Sequence, residues 1–159
     1  MKNKILIISL LIFILIVLVV GLILLIQKNI ENSEKYNIEI DSFSYYYGSY
    51  HGGYIQYGIY TEDDKAYMSA YGYNSLNVNF KKEIDKSVLN NISKIVAKNK
   101  IYKWNGFSKS DDDVLDGYSF TLIIKYVDGK EIRAYGYMEY PSNYNQWHKE
   151  ITEYLKEIE

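Results

Sequence analysis

A long apolar run near the start of the chain limits what this sequence can fold into. Residues 5–26 read ILIISLLIFILIVLVVGLILLI and contain no charged side chain. As a helix, these residues would rise about 33 Å, enough to cross a hydrocarbon core of about 30 Å. The run is too long for the apolar region of a cleaved signal peptide, and residues 27–33 offer no small-residue cleavage site. The sequence therefore predicts an uncleaved N-terminal transmembrane helix.

Lysines around the run bear on its orientation. They are Lys2 and Lys4 before it and Lys28 and Lys35 after it, so the bias of basic residues is nearly balanced. The short basic tail and the bulk of the downstream chain are typical of a single-pass signal-anchor with a cytoplasmic N-terminus. The sequence thus predicts three parts on the cell membrane: an anchor at 1–28, a polar tether at 29–36, and a domain at 37–159 outside the cytoplasm.

Composition excludes several classes of function. The chain has no cysteine, which excludes disulfides, thiolate metal sites, a cysteine nucleophile and a lipid-modified cysteine. Three of its 18 basic residues precede position 29, which leaves 15 against 20 acidic residues in the rest of the chain. Arg133 is the only arginine. Because nucleic-acid binding relies on clustered basic residues, nucleic acid is not an expected partner.

Periodicity after residue 40 predicts the fold class. Alternation of apolar and polar residues predicts strands at 42–47, 54–60, 65–73, 118–126 and 130–138. A spacing of three and four residues predicts helices at 84–98 and after Pro141, and residues 101–117 are predicted to be irregular. The prediction is a two-layer α+β domain of order βββ-α-ββ-α, with both helices on one face of an antiparallel sheet.

The last predicted hairpin can be placed in register. A three-residue turn of Val127, Asp128 and Gly129 pairs Ile124 with Ile132, and it puts the apolar sides of both strands on the same face. A two-residue turn would split those sides between opposite faces. The longer turn is therefore predicted, with Gly129 in the left-handed conformation.

Tyrosine is the most informative residue type in the predicted domain. The chain has 19 tyrosines. Alternation predicts that seven of them point away from the helices, and these are the candidate ligand-binding residues: Tyr46, Tyr54, Tyr60, Tyr67, Tyr71, Tyr135 and Tyr137. An open sheet face of this kind suits stacking on sugars or contact with a partner protein. Tyrosine also has a high β-propensity and stabilises sheets without binding anything, so both explanations remain open.

Recognisable catalytic or metal-binding patterns are missing from the sequence. His51 and His148 have no partner at catalytic or metal-ligand spacing, and both are predicted to be surface or boundary residues. The acidic segment Asp111–Asp116 departs from the calcium-loop template and is predicted to be a solvated turn. No catalytic residue, metal or cofactor is assigned, and a hydrolase without a recognisable motif is the least favoured alternative. Trp147 is predicted to be a core residue, and Trp104 is left open between core and ligand platform.

Residues 101–144 resemble part of a known group of sequences. The YKWNGF turn, the VLDGYSF strand start, the IKYVDGK hairpin and the P-x-N-Y helix start are similar to the C-terminal half of small, uncharacterised envelope-anchored proteins of low-GC bacteria. Some of those proteins look like lipoproteins, whereas this chain has no cysteine. The resemblance implies an envelope location and carries no activity or functional residue.

Together these patterns predict a non-catalytic binding module in the cell envelope. Its predicted partner is a cell-wall glycan or an envelope protein, contacted through the tyrosine-rich face. The alternative is an accessory or inhibitor/immunity-type protein whose partner is another envelope protein.

Overall fold

The computed structural model of the chain describes residues 12–27, 39–74 and 78–159. Residues 12–27 form helix α1, which belongs to a different compact unit from the remaining described residues. We call residues 39–74 and 78–159 the sheet domain.

The prediction of a transmembrane helix is wrong for the structure that the chain adopts. Within the described ranges, no helix has both the length and the hydropathy that a membrane crossing requires. Residues 5–11 of the predicted span, and the predicted tether at 29–36, lie outside the described residues.

Seven strands form one sheet in the order β4-β3-β2-β1-β6-β7-β5. The strands are β1 (Ile40–Ser49), β2 (Gly53–Glu62), β3 (Lys65–Tyr73), β4 (Asn79–Ile84), β5 (Phe107–Ser110), β6 (Ser119–Tyr126) and β7 (Glu131–Tyr137), and the helices are α2 (Ser87–Lys98) and α3 (Tyr144–Glu157). The domain is α+β, but the predicted order and the predicted antiparallel sheet are wrong. Two further strands, β4 and β5, are present, and β5 runs parallel to β7.

Both unpredicted strands are edge strands with weak apolar alternation. Strand β4 reads NFKKEI and β5 reads FSKS, and such charged or very short sequences are common at sheet edges, where they discourage pairing with other chains. Because Ile84 completes β4, α2 begins at Ser87 and not at residue 84 as predicted. The carboxylate of Asp85 accepts a hydrogen bond of 2.7 Å from the Ser87 N–H at this junction.

The predicted register of the last hairpin is confirmed. Ile124 lies opposite Ile132, and Gly129 has a φ of 83°, which is the left-handed conformation that the three-residue turn requires. The apolar residues of β6 and β7 therefore share one face of the sheet.

Helices α2 and α3 pack on that same face, which we call the inner face. Their apolar stripes join the inward side chains of the strands in one buried cluster. Trp147 of α3 is fully buried, with its ring 4.9 Å from that of Tyr45. Trp104 is 2% exposed and lies 5.0 Å from Trp147. Trp104 is therefore a core residue and not a ligand platform.

Candidate binding face

The opposite face of the sheet, called the outer face here, has no other helix or strand of the sheet domain packed over it. Side chains on this face alternate along each strand with the buried residues of the inner face. Three of its tyrosines keep large exposed fractions: Tyr71 is 50% exposed, Tyr73 43% and Tyr135 40%. The outer face therefore presents aromatic rings to solvent.

Strand register aligns seven outer-face residues in a single line across the sheet. We call this line the cross-sheet row. From β4 to β5 it consists of Asn79, Tyr71, Gln56, Tyr46, Thr121, Tyr135 and Ser108. Tyrosine occupies every second position, and the other positions hold amides or hydroxyls. The row contains no Asp, Glu, Lys, Arg or His.

Tyr54 lies beside the row and gathers three other tyrosine rings around it. Its ring centroid lies 5.3 Å from that of Tyr46, 6.2 Å from that of Tyr71 and 5.8 Å from that of Tyr73. We call these four residues the tyrosine patch. Desolvation, together with the neighbouring Tyr71 hydroxyl, raises the pKa of Tyr54. The phenol is therefore uncharged at physiological pH.

A second pair of tyrosines on the outer face has a different, charged environment. Tyr60 and Tyr67 stack with centroids 6.0 Å apart. The Lys81 ammonium lies 4.6 Å from the Tyr67 centroid and 5.2 Å from that of Tyr60, within the range of a cation–π contact. Lys81 also forms an ion pair of 3.2 Å with Glu62. Hydrogen bonds to Tyr60 and Glu62 raise the pKa of Lys81.

Tyr137 differs from the other predicted site residues because its hydroxyl holds a loop. The Tyr137 hydroxyl accepts a hydrogen bond of 2.7 Å from the Gly117 N–H and donates one of 2.8 Å to the Val114 carbonyl. These bonds fix the acidic segment that leads into β6. The role that the contacts support for Tyr137 is therefore structural.

The structure thus separates the seven predicted tyrosines into groups. Tyr46, Tyr71 and Tyr135 share the cross-sheet row, and Tyr54 adjoins it. Tyr137 lies on the same neighbouring line as Tyr54, but its hydroxyl holds a loop, and the charged pair of Tyr60 and Tyr67 lies farther from the row. Sequence reasoning missed Tyr73 and Gln56, although the alternation of β2 and β3 already placed both on the outer face.

Polar groups in the core form a small network around His148. The Tyr45 hydroxyl lies 2.9 Å from the Tyr144 hydroxyl and 2.6 Å from His148 Nδ1. Burial raises the pKa values of both phenols, and burial followed by the nearby Lys156 lowers the pKa of His148. The three groups are therefore uncharged at neutral pH. Their position between α3 and the sheet fits a structural role.

His51 and the acidic segment lie at the surface. His51 Nε2 is 3.4 Å from the Asp116 carboxylate, and both side chains are about 70% exposed. Within the segment, the Asp111 carboxylate accepts a hydrogen bond from the Asp113 N–H at 3.2 Å, which forms a local turn. Among the residues that the structure describes, no group of three or more His, Cys, Asp or Glu side chains is placed to hold a metal ion.

Comparison with known proteins identifies no relative. No protein-family model, curated protein or solved structure matches the chain. The resemblance of residues 101–144 to small envelope-anchored proteins stays a prediction.

Proposed function

We propose that the sheet domain is a non-catalytic module that binds uncharged carbohydrate on its outer face. The observation that carries this proposal is the cross-sheet row, in which two exposed tyrosines, Tyr71 and Tyr135, and the half-buried Tyr46 alternate with amide and hydroxyl side chains. A sugar has an apolar face of C–H groups and a rim of hydroxyls. Aromatic rings stack on the apolar face of the sugar, and neutral polar side chains form hydrogen bonds with its hydroxyls.

Electrostatics around the row favour a neutral ligand. Two cations on the neighbouring line of the outer face are already paired, since Lys81 contacts Glu62 at 3.2 Å and Arg133 contacts Glu131 at 2.6 Å. A polyanion would therefore find no unpaired cation among these side chains. A hydroxyl-rich ligand needs none.

The test removes two rings of the tyrosine patch. The full chain is kept in solution with a polyoxyethylene detergent, because a sugar-based detergent would compete for the site. It is then titrated with purified cell-wall polysaccharide. The double variant Tyr54→Ala plus Tyr71→Ala should bind about 100-fold more weakly, at about tenfold for each ring. Tyr118→Ala is the matched control, because Tyr118 is 55% exposed and precedes β6, in the alternation that places Phe120 on the inner face.

Two results would count against carbohydrate binding. Unchanged affinity in the double variant would show that the tyrosine patch does not bind the polysaccharide. If polysaccharide does not bind at all, but an envelope protein is retained by the wild type and lost from the double variant, the accessory-protein alternative is favoured. Unfolding curves of all variants establish that each is folded.

The proposal also keeps the predicted location outside the cytoplasm, where such polysaccharides occur. Protease added to intact cells should digest the sheet domain without lysis of the cells. Protection of the domain until the cells are broken would contradict this location.

A further inference from the structure

We propose that the ligand is a single, extended, β-1,4-linked glycan chain that lies across the strands along the cross-sheet row. This inference rests on the proposed carbohydrate-binding function. It adds the linkage, the direction of the chain and the three residues that mark its path, which are Tyr71, Tyr46 and Tyr135.

The spacing of the tyrosines supports the linkage. Tyr71 lies on β3, Tyr46 on β1 and Tyr135 on β7, so each is separated from the next by one intervening strand. Neighbouring strands are about 4.8 Å apart, which puts successive tyrosines about 9.6 Å apart. That is close to the length of two sugars in an extended β-1,4-linked chain. In such a chain each sugar is turned over relative to the last, so every second sugar presents the same face to the sheet.

The residues between the tyrosines fit the intervening sugars. Gln56 separates Tyr71 from Tyr46, and Thr121 separates Tyr46 from Tyr135. An amide and a hydroxyl can each donate and accept hydrogen bonds, as sugar hydroxyls do. The row thus alternates a stacking position with a hydrogen-bonding position at the spacing of single sugars.

One end of the row is concave. A shallow depression of about 280 Å³ is lined by three members of the row, Ser108, Thr121 and Tyr135, together with Ile123 and Arg133 of the neighbouring line. Ligand sites are preferentially concave and combine apolar walls with a few polar groups. The depression therefore suits one end of the glycan.

The twist of the sheet determines whether the ligand can be a soluble chain or a crystalline fibre. Adjacent strands rotate by about 20–25°, so tyrosines on alternate strands are rotated by about 40–50° relative to each other. Three rings arranged in this way cannot lie flat on a crystalline polysaccharide surface. They can follow one flexible chain, and we therefore expect soluble oligosaccharides to bind better than crystalline fibres.

The experiment measures binding of the full chain to oligosaccharides by calorimetry, in the polyoxyethylene detergent. The probes are β-1,4-linked N-acetylglucosamine oligomers of two to six sugars, with deacetylated hexamer, maltohexaose and crystalline chitin for comparison. Affinity should rise with length until the oligomer spans Tyr71 to Tyr135, at about four to five sugars. Tyr135→Ala should lower the affinity for the hexamer about tenfold and leave that for the dimer nearly unchanged. Tyr60→Ala removes a ring that lies on the outer face but outside the cross-sheet row. It should leave the affinities for the hexamer and the dimer unchanged.

The outcomes separate this inference from the function on which it rests. Four results would each overturn the proposed path of the glycan along the row. They are equal binding of the α-linked maltohexaose, tighter binding of the cationic deacetylated hexamer, a preference for crystalline chitin, and an equal loss of affinity in Tyr60→Ala and Tyr135→Ala. Those results leave the proposed function standing if Tyr54→Ala plus Tyr71→Ala still weakens polysaccharide binding about 100-fold. If that double variant binds polysaccharide as the wild type does, the proposed function itself fails.

Discussion

Two buried tyrosines that face each other in the sheet should respond in opposite ways to the same substitution. Tyr45 of β1 lies in register with Tyr57 of β2, and both side chains are fully buried on the inner face. The Tyr45 hydroxyl has two hydrogen-bond partners, Tyr144 and His148. Within the described part of the chain, the Tyr57 hydroxyl has none. Replacement by phenylalanine keeps each ring and removes only the hydroxyl.

The expected free energies follow from this difference in hydrogen bonding. In Tyr45→Phe, two hydrogen bonds are lost at about 1 kcal/mol each, and the partly exposed His148 can turn toward water, so we expect a loss of about 2 kcal/mol. In Tyr57→Phe, a buried polar group without a partner is removed, so the free energy of unfolding should be unchanged or rise by up to about 1 kcal/mol. For a domain of this size, the loss in Tyr45→Phe corresponds to a fall in Tm of about 8 °C.

Urea unfolding followed by tryptophan fluorescence measures both variants. The midpoint should fall for Tyr45→Phe and stay or rise for Tyr57→Phe, with an unchanged slope showing that the compactness of the unfolded state is the same. Equal destabilisation of the two variants would refute the hydrogen-bond reasoning, because the two substitutions remove the same atom from equally buried rings.

Substitutions at three further residues test other parts of the structure. Because burial depresses the folded-state pKa of His148, the unfolded state takes up its proton first as pH falls, so stability should decline between pH 7.5 and 5.5. Denaturation of His148→Gln at both pH values should show most of that decline removed, and an identical decline would contradict this account. Gly129→Ala should cost about 1 kcal/mol in thermal unfolding because of its positive φ, whereas Gly129→Asn should cost less. If alanine is tolerated as well as asparagine, the assigned turn is wrong. Tyr137→Phe should increase hydrogen exchange at the Gly117 amide, and an unchanged rate would show that the hydroxyl does not hold the loop.

Alternation along the strands was the part of the fold that sequence predicted best. It placed Tyr45 and Tyr57 on the inner face and Tyr46 and Tyr71 on the outer face, because one buried face imposes a period of two. The hairpin register followed from the same period and the demand for a left-handed glycine. Strands β4 and β5 could not be predicted in this way, because edge strands are partly solvated and their polar side chains obscure the period.

The cross-sheet row lay beyond sequence reasoning for a different reason. Each tyrosine could be assigned to a face from its own strand, but the alignment of Tyr71, Tyr46 and Tyr135 depends on the order of strands and on the register of every pairing between them. In particular, β6 pairs with β1 across a long separation in sequence, and no local pattern fixes that pairing. The sequence therefore identified candidate residues without their arrangement.

The division of aromatic residues between the two faces gives the domain two separate optical signals. Both tryptophans of the chain, Trp104 and Trp147, are buried in the core within 5.0 Å of each other, whereas the aromatic side chains of the outer face are tyrosines. Tryptophan emission should therefore follow the integrity of the core. Tyrosine absorbance includes buried residues such as Tyr45 and Tyr57, but only its outer-face part should respond to a ligand bound on the surface. A ligand that changes tyrosine absorbance and leaves tryptophan emission unchanged would be shown, without any label, to bind the outer face of an intact fold.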